Sequence, residues 1–281
     1  MYKRFFLISS LLCTFLSHAQ DDLLKEIDST QVVNKEVSAT FKGLQIVTMQ
    51  STKLPSEGEY YMVVSHRFGS VKGSWNEFFG FDSATTKIGG LYGVKQWLSV
   101  GVSRHTLFKL YEASTKYRLF KQTDTFPFEI VGYNVLGINS GLKKQNYPKI
   151  QFNDRLSYTN QLLIARKFSE KISLELAPTY IHKNLFEPAN ENNDQWVLAT
   201  GGRMKLSKRL SLNMEYGYNF NKPDFYKNPL SVGLDIDTGG HIFQLLFTNS
   251  QSMGEANYFT NASGNWGKGD FFFGFNLYRV F

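Results

Sequence analysis

Asp235 and Asp237 stand two apart in the stretch LSVGLDID, and residues two apart on a strand share a face. Two carboxylates so placed could coordinate a cation or raise each other's proton affinity. Bases of the same parity in other alternating segments offer them a different use. Arg67, Lys116, Arg118, Arg203 and Lys205, together with Glu175, Asn213 and Glu215, all fall on the polar side of such segments. Interior acids then meet interior bases in one network, and we read these residues as the lining of a polar interior rather than a metal site. No cofactor is expected. Gly89-Gly90 and Gly201-Gly202 match no phosphate-cradling pattern and suit strand positions near a close contact or bend.

Serine–histidine chemistry would need a hydroxyl and an imidazole on one face. None of His66, His105, His182 and His241 has a serine two positions later, and Ser65 directly precedes His66, which places the two on opposite faces. A triad assembled from separate strands is recognised by geometry and not by order, so the spacing alone gives no sign of one. The single cysteine, Cys13, lies within the first nineteen residues, and the rest of the chain has no thiol for catalysis, disulfides or zinc. We expect a protein that is not an enzyme.

The elements that must carry these residues alternate with period two. Leu210, Leu212, Met214, Tyr216, Tyr218 and Phe220 interleave with Ser211, Asn213, Glu215, Gly217 and Asn219. Ile172, Leu174, Leu176, Pro178 and Tyr180 do the same against Ser173, Glu175, Ala177 and Thr179, and the final stretch DFFFGFNLYRVF sets Phe271, Phe273, Phe275 and Leu277 against Phe272, Gly274, Asn276 and Tyr278. A soluble sandwich would also alternate, so the pattern needs a second signal. It comes from the aromatic C-terminal residue of a long apolar-faced strand, Phe281, the usual close of an outer-membrane barrel, and from the N-terminus. There Lys3 and Arg4 precede an apolar run from Phe5 to Leu16 and then Ser17-His18-Ala19, the layout of a signal peptide cleaved before Gln20.

Segments long enough to cross a bilayer as tilted strands run 59–69, 84–93, 97–105, 111–120, 126–138, 155–168, 171–182, 195–206, 209–220, 229–237, 241–250 and 270–281. The reading is therefore all-β: a transmembrane antiparallel up-and-down β-barrel of about 12 strands. Long or polar connections (70–83, 139–154, 183–194, 221–228, 251–269) alternate with tight ones (94–96, 169–170, 207–208, 238–240), as when both barrel ends lie in the periplasm. Two strands resist a clean phase: in 126–138 and 155–168, Asn134, Asn160 and Arg166 spoil one face and charges spoil the other. Residues 1–19 are expected to be a signal peptide, 20–58 an N-terminal periplasmic segment and 59–281 the barrel; the polar, helix-tolerant stretch 21–42 is read as a linker, with a plug or a periplasmic docking segment as its functional alternative.

With these segments laid out, the chain from Asp21 onward resembles DUF5777, a family of Bacteroidetes outer-membrane β-barrels without an assigned role. The resemblance rests on DDLLKEI at 21–27, ATFKG at 39–43, VSHRFG at 64–69, FFGFDSATTKIGGLYGV at 78–94 and WLSVGVSR at 97–104. It implies an outer-membrane location in a Gram-negative cell and carries over no catalytic residue. Arg279, third from the end, departs from the apolar residue such barrels often have there.

The expected function is a narrow passive pore or transport component for small polar solutes, with a structural or docking barrel that binds another envelope protein as the alternative. Expected partners are outer-membrane lipid and an envelope protein. The formal charge of +7 is modest and scattered, with no arginine-rich run, so nucleic acid is not expected as a partner. Lys95, Lys121, Lys171, Lys208, Arg209 and Arg279 gather at the periplasmic rim in this topology.

Overall fold

A strand in hydrocarbon must find a hydrogen-bond partner for every backbone group, and only a sheet closed on itself provides that without an open edge. The computed structural model describes residues 39–188 and 191–281; the expected signal peptide and residues 21–38 of the helix-tolerant stretch lie outside the described residues. Twelve strands form the wall: β1 (Tyr60–Ser70), β2 (Thr85–Lys95), β3 (Leu98–His105), β4 (Leu110–Phe120), β5 (Glu129–Asn139), β6 (Leu156–Lys167), β7 (Ile172–Lys183), β8 (Asp194–Lys205), β9 (Leu210–Asn219), β10 (Leu230–Asp237), β11 (His241–Thr248) and β12 (Phe272–Val280). Each pairs antiparallel with the next, and β12 closes on β1. Among the described residues no helix is long and apolar enough to cross a membrane.

The alternation is realised as two surfaces. On β9, Ser211, Asn213, Glu215 and Asn219 are buried inside, while Met214 and Tyr218 are exposed outside. The outer surface continues through Val102, Trp196, Phe247 and Leu174 on other strands, all exposed. On β12 the outward aromatics stack with their neighbours, Phe273 on Phe68 at 5.6 Å between ring centroids and Phe275 on His66 at 5.5 Å. Connections 168–171, 206–209 and 238–240 are tight and lie at the end where the chain enters β1 and leaves β12, whereas 71–84, 140–155 and 249–271 stand at the other end. Short turns thus mark one mouth and long loops the other, except that 121–128 at the first is longer than 106–109 at the second.

Residues 39–58 correct the expected N-terminal periplasmic segment. Phe41, Ile46, Val47, Met49 and Leu54 are almost wholly buried and pack with Val131, Tyr133, Val135, Leu163, Ala165, Ala177 and Val197 of the inner wall, while Leu44, equally buried, packs with Val63 and Tyr278. The segment lies inside the barrel. This also explains the ambiguous strands: Val131, Tyr133 and Val135 of β5 and Leu163 and Ala165 of β6 stand on the inner face because an apolar segment packs there, mixed on β6 with Thr159 and Gln161, so the inner faces do not read as cleanly polar. From the long-loop end a short helix, α1 (Glu255–Thr260), also packs inward, with Ala256, Tyr258 and Phe259 in the same apolar cluster.

The outer belt makes a direct prediction. Met214→Arg, at mid-strand on β9, should lower unfolding free energy by roughly 2–4 kcal/mol, while Leu206→Arg at the short-turn rim should cost about 0–1 kcal/mol. Urea unfolding from lipid vesicles measures both, and equal costs at the two sites would contradict the placement of the belt.

Candidate functional site

A segment inside a barrel cannot leave its backbone groups unpaired, because the interior is far less polar than water. Residues 44–51 solve part of this locally. They fold into a tight hairpin in which Ile46 N–H donates to Met49 O at 2.8 Å and Ser51 N–H to Leu44 O at 3.1 Å, with Gln45 and Gln50 forming a bridge. At its tip successive N–H groups turn the same way and create a concave anion site. Glu215 of β9 fills it: its carboxylate accepts from the backbone N–H groups of Val47 at 2.8 Å, Thr48 at 2.8 Å and Met49 at 3.0 Å. Gly201 on β8, next to Glu215 in register, leaves the space that Ile46 occupies; a Cβ there would come within 2.6 Å of Ile46 Cδ1.

The hairpin's carbonyls meet donors instead. The Lys116 ammonium, deeply buried on β4, donates to Ser51 O at 2.9 Å and to Leu44 O and Lys53 O at 3.3 Å each. Gln244 on β11 donates to Ile46 O and Asn276 on β12 to Val47 O, both at 2.7 Å. Arg67 on β1 reaches Asn276 Oδ1 at 3.0 Å and the Thr48 hydroxyl at 3.2 Å. Near the short-turn mouth Glu129 accepts from the hydroxyls of Thr40 and Thr52 at 2.8 Å each and pairs with Arg118 at 3.1 Å, while Lys42 forms an ion pair with Asp237. Thr52 N–H donates to Glu175 at 3.1 Å. Backbone donors meet wall acids, and backbone acceptors meet wall bases and amides.

The long-loop side is closed by α1. Its Tyr258 hydroxyl donates to Glu215 Oε1 at 2.7 Å, so one carboxylate holds both inserted segments. Glu255 accepts from Gln50 of the hairpin at 2.5 Å, and its own N–H donates to Glu112 of β4 at 2.8 Å. Gly217 makes room for Phe259, which would lie 2.8 Å from a Cβ placed there. Between the hairpin and the wall at Lys87, Glu112 and Ser114 remains a void of about 30 Å³, the scale of one or two waters and not of a solute.

The ten residues expected to line the lumen divide by depth. Arg67, Lys116, Glu175, Arg203, Asn213, Glu215 and Asp235 are buried in the interior, and Arg118, Lys205 and Asp237 stand half-buried toward the short-turn mouth. Asp235 and Asp237 do not act as a pair: the first accepts from Gln244 at 2.6 Å and the second goes to Lys42. Sequence reasoning missed one constellation, because it sought a serine after each histidine and not before. Ser103 and His105 share an inner face with Glu112; His105 Nε2 lies 3.0 Å from the Ser103 hydroxyl and 2.8 Å from Glu112. A nucleophile relay needs hydroxyl and carboxylate on opposite ring nitrogens, whereas here both meet the same one. The cluster instead braces α1, through the bond from Glu255 N–H to Glu112.

A family model described as a membrane bound beta barrel domain (DUF5777) matches residues 41–281, which takes in the hairpin as well as the wall. No curated protein matches the chain. Among solved structures, the KdgM porin superposes with a TM-score of 0.50 at 11% identity, covering 78% of this chain and 99% of its own. The NanC porin does so with 0.50 at 9% identity, covering 78% and 98%. At such identities the likeness is one of fold.

Glu215→Gln keeps size and removes the charge that three amides and a hydroxyl address. The variant should still fold as a barrel, with heat-modifiable migration on gels, but amide hydrogens of Val47, Thr48 and Met49 should exchange at least about tenfold faster, since hydrogen bonds to a charged group contribute roughly 1.5–3 kcal/mol each. Unchanged protection by NMR or mass spectrometry would show that the carboxylate does not hold the tip.

Proposed function

Because the chain belongs to the DUF5777 family of membrane-bound β-barrel domains, we propose that it is an outer-membrane transport component for small polar solutes, closed at rest by its own N-terminal hairpin. The observation that carries this reading is how the hairpin is held. It enters and leaves by the short-turn mouth, and among the described residues its one strand-like bridge, Gln45 to Gln50, is with itself. It adds no strand to the wall, so it can withdraw without breaking the sheet. With short turns and the chain entry on one side, that mouth faces the periplasm and the long loops face outward.

The wall supports passage once the hairpin moves. Ser173 and Arg203 are register neighbours on β7 and β8, both buried, and Ser173 Oγ and Arg203 Nε and Nη1 have no protein partner. A wall made only to clamp the hairpin would not keep donors unused. They suit water and hydroxylated or anionic solutes in transit. Of the structural neighbours, the KdgM porin has been solved in complex with disordered oligogalacturonate. The serine–histidine–glutamate cluster does not need a reaction to explain it, so the reading is of a channel without catalysis.

Planar-bilayer recording tests the proposal. The unmodified protein should rest mostly closed with brief openings, and Glu215→Gln should raise open probability by about tenfold or more, the equivalent of one lost charge-assisted bond. Removal of residues 39–55 should leave a steadily open barrel. A folded hairpin-less barrel that conducts nothing would overturn the transport reading and leave a docking barrel.

A further inference from the structure

The outward rows of the wall carry one pair of amides among the described residues. Asn134 on β5 and Asn160 on β6 are direct cross-strand partners. Their chain neighbours Tyr133, Val135, Thr159 and Gln161 are buried inside, so the two amides point out toward lipid. They sit at mid-strand: along the same faces Leu136 and Tyr158 stand toward the long-loop end, and Ile130, Leu162 and Ile164 toward the short-turn end. Hydrocarbon offers no hydrogen bonds, and polar groups at that depth are costly unless something meets them.

The pair meets only part of its own demand. Asn134 Nδ2 donates to Asn160 Oδ1 at 2.5 Å. An amide has two donor hydrogens and an accepting oxygen, so the Asn134 oxygen and the Asn160 amino group remain facing the bilayer. Beside them on β4, Ala113 and Thr115 give the wall low relief, which allows another surface to approach.

Insertion fixes which end of each barrel faces up, so a two-fold axis between two copies must run along the membrane normal. Set in front of this pair, such an axis brings Asn134 of one copy opposite Asn160 of the other, and the reverse on the other side of the axis. The leftover acceptor then faces the leftover donor, twice. Lipid tails can satisfy neither group.

We propose that the β4–β6 face is a homodimer interface whose centre is the Asn134–Asn160 pair, and that its occupant is a second copy of this chain. The inference is independent of whether the lumen conducts.

Sedimentation equilibrium of the folded protein in density-matched detergent micelles tests it. The unmodified chain should show a monomer–dimer equilibrium, and the double variant N134L/N160L should weaken it by about tenfold, as loss of interhelical-type polar contacts in membranes does. T200L, on the outer face of β8, should leave it unchanged. An unmodified protein that sediments as a monomer at every concentration, or as a trimer, overturns the proposal without any variant. So does a double variant that folds, by heat-modifiable migration, yet associates as tightly as the original.

Discussion

The contact between Glu215 and the tip of the 44–51 hairpin is the constraint from which the rest of the interior follows. A chain segment placed inside a barrel brings donors and acceptors that no ladder satisfies, and each must find a partner or be paid for in desolvation. Glu215 takes three N–H groups at one point and a tyrosine hydroxyl from the opposite direction. Once the tip is fixed, the two arms run back past Lys116, Gln244 and Asn276, whose donors sit where carbonyls emerge. The inner charges of this barrel are thus matched to the polarity of a backbone more than to one another. The expectation that interior acids simply neutralise interior bases holds for Arg118 with Glu129 and misses the larger role.

Strands such as β9, β7 and β12 were legible because one of their faces meets lipid and the other meets polar atoms, which leaves a clean period of two. Strands β5 and β6 were not, and the cause is physical. Val131, Val135, Leu163 and Ala165 point inward against Phe41, Ile46 and Leu54, so apolar residues stand on both faces. Periodicity reports a difference between two environments and vanishes when both are apolar. The same packing hid the hairpin, since residues 39–58 have no regular period and read as part of a periplasmic segment before the barrel. Their buried apolar residues carried the signal: a solvated linker has no use for Phe41, Leu44, Ile46, Val47 and Met49 in nine positions. The residues of the lumen were readable by parity, and their partners were not, because parity says which way a side chain points and nothing of what has been placed before it.

Outward charges obey a different rule. Arg104 lies over the Tyr111 ring at 4.7 Å, Arg166 over Phe168 at 4.9 Å, and Arg279 over Phe281 at 4.6 Å. Each stands near a strand end, where a long side chain can reach the interface while its stem covers an aromatic face. Arg166 and Arg279, which disturb the sequence pattern, are therefore compatible with the belt. Asn134 and Asn160 are short, central and uncovered, and that contrast is why they call for another surface and the arginines do not.

Under the proposed transport role, opening the lumen would involve both inserted segments. The hairpin can leave toward the short-turn mouth without threading, because both of its arms already exit there. The long-loop side is filled by α1, which belongs to the 249–271 connection and is tied to the hairpin through Gln50 with Glu255 and through the shared Glu215. If the hairpin withdraws, Glu215 loses three donors at once and keeps only the Tyr258 hydroxyl, a poor complement for a carboxylate in this interior. The helix then loses its bond from Glu255 to Gln50, and its bond to Glu215 must compete with water entering behind the hairpin, while Glu112 and the Phe259 seat at Gly217 still hold it to the wall. One carboxylate on one strand thus bonds both inserted segments, and under the proposed transport role withdrawal of the hairpin is opposed by the buried charge it would leave half satisfied.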